Sequence, residues 1–312
     1  MKFIITLCFL FTASIVYTQS SVEPFLESVV SEFPNVRDIA ISPNQNEAVF
    51  SAQSFMGDLS VLITVKKQND TWSEAKVISF SGQFFDIEPF FSSDGLTLYF
   101  ASNRPVDNTS TKTKDFDIWY VKRETLSSEW SKPINMGAPI NTSKDEFYPA
   151  ITDSGNLYFT LDDKELKQRD NIYVSEFING KYTTPKSLGE GVNSEGYEFN
   201  AYVAPDESFL IYSCYNRKDG LGSGDLYISY NKDGQWSAAE NMGDRVNSDK
   251  MEYCPYVDLN SGTLYFTSKR LGNYANTDKK KTVDDLKTLF SSYDNGLSRL
   301  YQVDLKAHLK KK

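Results

Sequence analysis

The strongest constraint on the fold of this chain is a unit of fifty to sixty residues that recurs along it. Every copy carries an aromatic residue in its second strand-like run. These residues fall 50 to 59 positions apart, at Phe50, Phe100, Phe159, Tyr212 and Phe266. A period of this length, with several short strands in each unit, is typical of propellers and other closed repeat arrays. The sequence therefore predicts five similar units that pack side by side.

Each complete unit contains four strand-like runs. In the second unit they are residues 89–91, residues 98–100, residues 118–120 and a run that starts at Trp130. The turn Ser93-Asp94-Gly95 separates the first two runs, because these residues accept the dihedral angles of tight turns. We therefore predict four-stranded antiparallel blades.

The predicted fold is an all-β propeller of five blades, and a sixth, irregular blade remains an alternative. The repeats span about residues 37–85, 86–145, 146–197, 198–251 and 252–305. The last unit lacks a fourth strand, and the segment 23–30 belongs to no complete unit. We predict that this N-terminal segment supplies the missing outer strand, which closes the ring and removes exposed sheet edges.

The first twenty residues have the pattern of a secretory signal peptide. Lys2 is followed by an apolar run over residues 3–16 and a polar exit, and this run is too short to span a bilayer comfortably. Cys8 follows Leu7 rather than a small residue, which disfavours a lipoprotein. We expect a single propeller domain over residues 21–312, exported to the periplasm or the cell exterior.

Charge and histidine content exclude several classes of function. The formal net charge is −9, so neither nucleic acid nor an anionic membrane surface is an expected partner. His308, in the C-terminal tail, is the single histidine of the sequence. A Ser-His-Asp device and an imidazole-based zinc site are therefore disfavoured. A pair of carboxylates, as in glycoside hydrolysis, is the one catalytic chemistry left open.

The links between strands differ in length according to the face on which they lie. Links from strand one to two and from strand three to four are short and share one face. Links from strand two to three share the other face and are long, over residues 103–114, 161–169, 215–224 and 271–298. Binding residues concentrate on such loops. We call this side the long-loop face and expect it to bind the partner.

The largest insertion, residues 271–298, is predicted to contain a short helix. Thr282 is the expected cap, and Asp284 and Asp285 lie in the first turn, where acidic residues favour a helix start. The insertion is either a lid over the long-loop face or a surface decoration.

Acidic and basic residues recur where one unit meets the next. The links read Asn-[Ser/Thr]-x-x-x-Glu, and an arginine often follows the second strand. Together these residues form a candidate binding rim: Asp86, Arg104, Glu146, Glu198, Arg217, Glu252 and Arg270. Two interpretations remain open. The residues form ion pairs across blades and turn hydrogen bonds, which together fix the blade register, or they form a charged ring that binds a polar ligand or a metal such as Ca²⁺, although no acidic loop has calcium-loop spacing.

Two cysteines lie in adjacent units of the predicted domain. Cys214 ends a second strand, and Cys254 begins the first strand of the next unit. These positions share one edge of the blades, so a disulfide between Cys214 and Cys254 and two separate thiols both remain open in an exported protein.

The repeat resembles the WD40-like repeat of the TolB family of exported bacterial propellers. The resemblance rests on the segment 86–104, with the sequence Asp-x-x-Pro-x-Phe-Ser-x-Asp-Gly-x-x-Leu-Tyr-Phe-x-Ser-Asn-Arg, and on Asp117-Ile118-Trp119. It covers about residues 37–305 and does not include the N-terminal α/β domain of TolB. It implies an interaction scaffold without a catalytic motif. We therefore expect a non-catalytic scaffold that binds a protein or a glycan, with a glycan-active hydrolase as the alternative.

Overall fold

The computed structural model of this chain describes residues 21–107, 110–166, 170–194, 196–272 and 280–306. The predicted signal peptide and His308 lie outside these residues. Within them, five antiparallel sheets are arranged as a five-bladed propeller, which confirms the predicted fold class and blade number. The first strand of each blade contacts the first strand of the next blade, and blade 5 contacts blade 1 in the same way.

The blades follow the predicted repeats closely. Blade 1 contains Asn35–Ile41, Glu47–Gln53, Ser60–Gln68, Thr71–Trp72 and Lys76–Val77. Blade 2 contains Asp86–Phe91, Thr97–Ser102, Asp117–Lys122 and Ile134–Asn135. Blade 3 contains Asp145–Ile151, Leu157–Asp162, Asp170–Ser175 and Lys186–Ser187, with a hairpin of Phe177–Ile178 and Lys181–Tyr182. Blade 4 contains Tyr197–Val203, Phe209–Tyr215, Asp225–Lys232, Gln235–Trp236 and Glu240–Asn241. Blade 5 contains Glu252–Asp258, Thr263–Ser268, Arg299–Asp304 and the N-terminal strand Glu23–Pro24.

The recurring second-strand aromatic residues form the core between blades. All five are buried. Phe100, for example, clusters with Val49 and Leu62 of blade 1, whereas Phe159 clusters with Ile118 of blade 2. Large aromatic side chains contribute much of the apolar area buried in a core. The repeat that is visible in the sequence is therefore the packing unit that joins neighbouring blades.

The N-terminal segment closes the ring, as predicted, but with a shorter strand. Glu23 pairs with Gln302 and Pro24 with Tyr301 on the outer edge of blade 5, and an edge strand tolerates a proline because one side needs no ladder hydrogen bond. The aromatic side chain of the next residue, Phe25, packs edge to face on the ring of Tyr265, with the two ring centroids 4.6 Å apart. The chain then forms the helix Glu27–Val30, because it must turn from the outside of blade 5 towards the inner strand of blade 1.

The insertion in blade 5 contains the predicted helix, Val283–Ser291. Thr282 and Asp285 exchange hydrogen bonds in a capping box. No residue of this helix is buried, so it projects from the propeller rather than packing on it as a lid. Its base is fixed by Tyr293, whose hydroxyl donates to the carbonyl of Leu300 at 2.6 Å. Among the described residues, no helix is long and apolar enough to cross a membrane.

Cys214 and Cys254 are separate, buried thiols in this structure, and no disulfide joins them. The Cys214 thiol donates to Glu198 Oε1 at 3.2 Å, whereas the Cys254 thiol donates to Asn200 Oδ1 at 3.2 Å. Cys214 thus lies on the second strand of blade 4 and Cys254 on the first strand of the neighbouring blade 5. Their side chains, however, have different hydrogen-bond partners.

Candidate functional site

The acidic residues of the candidate rim are buried where the blades join. The side chains of Asp86, Glu146, Glu198 and Glu252 have no exposed surface. Each accepts a hydrogen bond from a serine or threonine hydroxyl of its own link, such as Thr142 to Glu146 at 2.6 Å and Ser248 to Glu252 at 2.7 Å. These carboxylates therefore stabilise the link rather than facing solvent at the end of the channel.

The asparagine of each link connects two blades. Asn141 Oδ1 accepts from the backbone N–H of Ile118 at 2.9 Å, and its Nδ2 donates to the Ile118 carbonyl at 2.9 Å. Asn193 and Asn247 make the same pair of contacts with Ile172 and Leu226. A side-chain amide carries both a donor and an acceptor, so it can satisfy both backbone groups of one residue. The Asn-[Ser/Thr]-x-x-x-Glu motif thus holds strand three of one blade against strand one of the next.

The arginines of the rim pair with acids of their own blade, so the prediction of ion pairs across blades was wrong. Arg104 lies 2.5 Å from Asp86, and Arg270 lies 3.3 Å from Glu252. In an antiparallel hairpin the start of strand one lies beside the end of strand two, which explains both pairs. Each guanidinium reaches the adjacent blade through a backbone carbonyl instead, as Arg270 does with Val246 at 2.9 Å.

The third and fourth blades lack this pair. Arg217 contacts Asp219 at 3.3 Å and lies over the ring of Tyr227, so Glu198 has no arginine partner among the described residues. Glu146 also has none, and its Oε2 atom makes no hydrogen bond within the described structure. Burial raises the pKa of Glu146 to about 8, and the nearby carboxylates of Asp117 and Asp115 add to this shift, although the hydrogen bonds from Thr142 oppose it.

A second five-fold feature, not recognised in the sequence, lies nearer the axis. The first strand of every blade is interrupted by a bulge two residues after the link position. The bulge residues all have positive φ angles between 50° and 60°: Asp38, Glu88, Tyr148, Asn200 and Cys254. None is glycine, so each is held in a costly conformation by its surroundings.

Hydroxyl groups from neighbouring blades hold three of these bulges. Thr267 accepts from the N–H of Asp38, Ser51 from that of Glu88 and Thr160 from that of Asn200, at 2.9 to 3.2 Å. In blade 2, the residue that corresponds to Ser51, Thr160 and Thr267 is Ala101, which has no hydroxyl group. The carboxylate of Glu88 accepts from the N–H of Tyr148 instead, at 2.7 Å.

Glu88 is consequently the centre of a polar network that reaches every blade. Its Oε1 atom accepts from Arg37 Nη2 and from Asn200 Nδ2, both at 2.9 Å. Arg37 also donates to Asp38 at 2.7 Å, and Cys254 of blade 5 lies 3.3 Å from Arg37 Nη2. We call these residues, together with Tyr148, the axial hub.

Burial dominates the electrostatics of the axial hub. It raises the pKa of Glu88 to about 7, although Arg37 and the hydrogen bonds from Tyr148 and Asn200 favour the charged carboxylate. Burial likewise raises the pKa of the Cys254 thiol well above its ordinary value, and Asp38 adds to this shift. The thiol is therefore protonated near neutral pH, which agrees with its role as a hydrogen-bond donor.

A pocket of about 230 Å³ opens over the axial hub at the long-loop end of the channel. We call it the mouth pocket. Its floor contains Arg37, Glu88 and Asn200, and its walls contain Phe147, Phe199 and Tyr215. On the opposite side of the hub, the rings of Phe90, Tyr202 and Tyr256 pack together with centroids 5.7 to 6.5 Å apart. The channel is thus filled with side chains below the pocket.

The described residues contain no group of three or more histidine, cysteine or carboxylate side chains arranged to hold a metal ion. The candidate rim also supplies no such group in this part of the chain. What the geometry does provide is a rigid polar floor, aromatic walls and an opening surrounded by the long links.

Comparison with known proteins identifies the fold. No family model and no curated protein matches the sequence. A solved structure of TolB from Acinetobacter baumannii is 15% identical with a TM-score of 0.47, and the match covers 86% of this chain and 54% of that TolB. A GH43 endo-arabinanase from Bacillus licheniformis is 14% identical with a TM-score of 0.50, and the match covers 86% of this chain and 93% of the enzyme. At 14% identity, the likeness to the endo-arabinanase concerns the propeller fold alone and establishes no activity.

Proposed function

We propose that this protein is an exported, non-catalytic scaffold of the TolB-like, WD40-like repeat type, and that its long-loop face binds a partner protein. The observation that carries this proposal is the distribution of exposed apolar side chains. Of the sixteen large apolar side chains that are exposed among the described residues, ten lie on links between strands two and three.

These ten side chains come from all five blades. They are Phe55, Met56, Leu59, Val106, Leu166, Leu221, Leu271, Val283, Leu286 and Phe290. We call them the apolar ring. Apolar surface that is concentrated on one face of a soluble protein marks a protein-binding site, whereas scattered single residues do not. A protein surface is the partner that best covers such a ring, because burial of exposed apolar area drives protein association.

The rest of the molecule supports a scaffold role. The buried link motifs and the axial hub fix the blades relative to one another, so the five links start from rigid positions. A binding face that is ordered before contact loses less conformational freedom on association. The acidic net charge of −9 favours a partner with a basic surface.

The alternative, a glycan-active hydrolase, has one observation in its favour. Asp38 and Glu88 both lie in the channel, and the raised pKa of Glu88 would suit a general acid. Arg37 donates to both carboxylates, however, and so occupies the space in which a scissile bond or a water would have to lie. Turnover of any glycoside in a panel by the wild type, abolished by Glu88→Gln, would favour the hydrolase over the scaffold.

The scaffold proposal is tested with two matched triple variants. The first replaces Phe55, Met56 and Leu59 of the apolar ring with serine. The control replaces Val77, Ile134 and Phe177, which are also exposed but lie away from the long links, with serine. Wild type and control should capture the same protein from envelope extract of the source organism, and the ring variant should lose it. Equal capture by all three proteins would contradict the proposal.

A further inference from the structure

We infer that the mouth pocket is a binding site for one neutral sugar residue. This site goes beyond the proposed protein-binding role, because it uses the polar floor and aromatic walls of the pocket rather than the apolar ring.

The floor of the pocket carries an unused pair of hydrogen-bond donors. Arg37 uses Nε for Asp38 and Nη2 for Glu88 and Cys254, whereas its Nη1 atom makes no hydrogen bond to any described residue. The Arg37 side chain is 20% exposed and lies over the ring of Tyr253 with its central carbon 5.0 Å from the ring centroid. A ligand oxygen in the pocket can therefore accept from this fixed guanidinium.

The charged side chains around the same space carry both signs. On the floor of the pocket, the cationic Arg37 donates to two acids, Asp38 at 2.7 Å and Glu88 at 2.9 Å. A carboxylate ligand would be repelled by the two acids, and an ammonium ligand would be repelled by Arg37. A neutral polyhydroxyl compound meets neither repulsion, and one of its hydroxyl oxygens can accept a hydrogen bond from the guanidinium.

The size and the aromatic walls of the pocket fit a single sugar ring. The volume of about 230 Å³ is smaller than the roughly 300–1,000 Å³ typical of sites for drug-sized ligands, so it suits a single ring rather than a chain of sugars. Phe199 and Tyr215 stack at a centroid distance of 4.7 Å and form one wall, and Phe147 forms another. The C–H face of a pyranose packs well on such apolar aromatic surface.

The methionines of this chain give a direct assay. The sequence has five of them. Met251 lines the mouth pocket, Met56 belongs to the apolar ring, and Met136 and Met242 pack in or against blade cores. The protein is labelled with ¹³C at the methionine methyl groups. It is then titrated with each of six neutral sugars: glucose, galactose, mannose, N-acetylglucosamine, arabinose and xylose. Glucuronate and glucosamine are the charged counterparts.

At least one neutral sugar should shift the Met251 methyl resonance saturably, with Kd of roughly 1 mM, while the Met136 and Met242 resonances stay in place. The charged counterparts should bind at least about tenfold more weakly. Phe199→Ala should weaken binding by about tenfold or more, and Phe177→Ala, on the other face, should leave it unchanged. Comparison of the Met136 and Met242 resonances of each variant with those of the wild type shows whether the core is intact.

Two results would overturn the inference. One is that no neutral sugar in the panel shifts Met251 at about 50 mM, well above the Kd expected for such a site. The other is that glucosamine or glucuronate binds as tightly as its neutral counterpart. The outcome is independent of the protein-binding proposal, because loss of partner capture is read from the apolar ring and sugar binding is read from Met251.

Discussion

Glu88 of blade 2 and Asn200 of blade 4 are joined across the propeller axis by a hydrogen bond of 2.9 Å from Nδ2 to Oε1. The two blades are not neighbours, so this contact depends on closure of the whole ring. Arg37 and the N–H of Tyr148 complete the partners of the same carboxylate. One side chain therefore links the first, second, third and fourth blades.

Removal of this carboxylate should destabilise the protein strongly. Glu88→Ala leaves the guanidinium of Arg37 with Asp38 as its one acidic partner and leaves the Tyr148 N–H buried without an acceptor. Loss of one partner of a buried ion pair typically costs about 3–5 kcal/mol, and we expect a decrease of this size in the free energy of unfolding. Urea denaturation of Glu88→Ala and of the exposed control Glu74→Ala measures it. A decrease below about 1 kcal/mol, the value typical of a surface pair, would show that the axial hub carries little stability.

The fold could be predicted from the sequence because the features that define it repeat. The second-strand aromatic residues and the Asn-[Ser/Thr]-x-x-x-Glu links recur every 50 to 59 residues, and both join neighbouring blades. The prediction that acid and arginine pair across blades failed for a local reason. The turn after strand one, Ser93-Asp94-Gly95, forms a hairpin that brings Asp86 beside Ser102 of the same blade, and Arg104 lies two residues further on.

The axial hub could not be predicted in the same way. Its five bulge residues are Asp, Glu, Tyr, Asn and Cys, so no residue type recurs at that position. Their contacts depend on how five strands converge at the axis, which the spacing along one strand does not reveal. The one signal available was that none of the residues two positions after the link positions is an aliphatic side chain. The mouth pocket was missed for the same reason, because its lining comes from all five blades.

The link asparagines should contribute to stability according to the backbone groups that they satisfy. Asn247 is buried and pairs with both the N–H and the carbonyl of Leu226, at 2.8 and 3.0 Å. Asn247→Ala leaves both groups without their partner, and an unsatisfied buried polar group costs about 1–3 kcal/mol. Thermal unfolding should show a corresponding fall in Tm. The exposed Asn44 provides the comparison, and an Asn44→Ala variant with an equal fall would argue against a special role for the link.

The N-terminal closure should depend on Phe25. Its ring packs on Tyr265 and lies 6.2 Å from Trp72 of blade 1, and its backbone N–H donates to Leu300 at 2.9 Å. Because Phe25 is only half-buried, Phe25→Ala should cost roughly 2 kcal/mol, less than the ~3–5 kcal/mol of a fully buried phenylalanine. Hydrogen exchange should accelerate first in Arg299–Asp304, the strand that the N-terminal segment covers. The exposed Phe55 supplies the control, and exchange that accelerates equally in Phe55→Ala would contradict this assignment.

Glu146 should make stability fall as the pH rises. Its pKa is raised to about 8 in the folded protein, above the ordinary value, so the folded state binds a proton that the unfolded state has released. The stabilisation is complete below the ordinary pKa and is lost as the pH passes through about 8. Glu146→Gln keeps a neutral acceptor for Thr142 and removes this dependence. The Tm of the variant relative to wild type should therefore increase between pH 5 and pH 8.5.

Glu252→Gln is the matched control for that measurement, because Glu252 occupies the same position of its link but pairs with Arg270 and Ser268. Its substitution removes an ion pair and leaves a half-buried guanidinium without its acid, so it should lower the Tm at both pH values. The comparison of the two variants separates a carboxylate that is costly to ionise from one whose charge stabilises the blade. A Glu146→Gln variant that lowers the Tm as much as Glu252→Gln at pH 8.5 would contradict the prediction, because it would show that a hydrogen-bond or ion-pair partner stabilises the ionised carboxylate of Glu146.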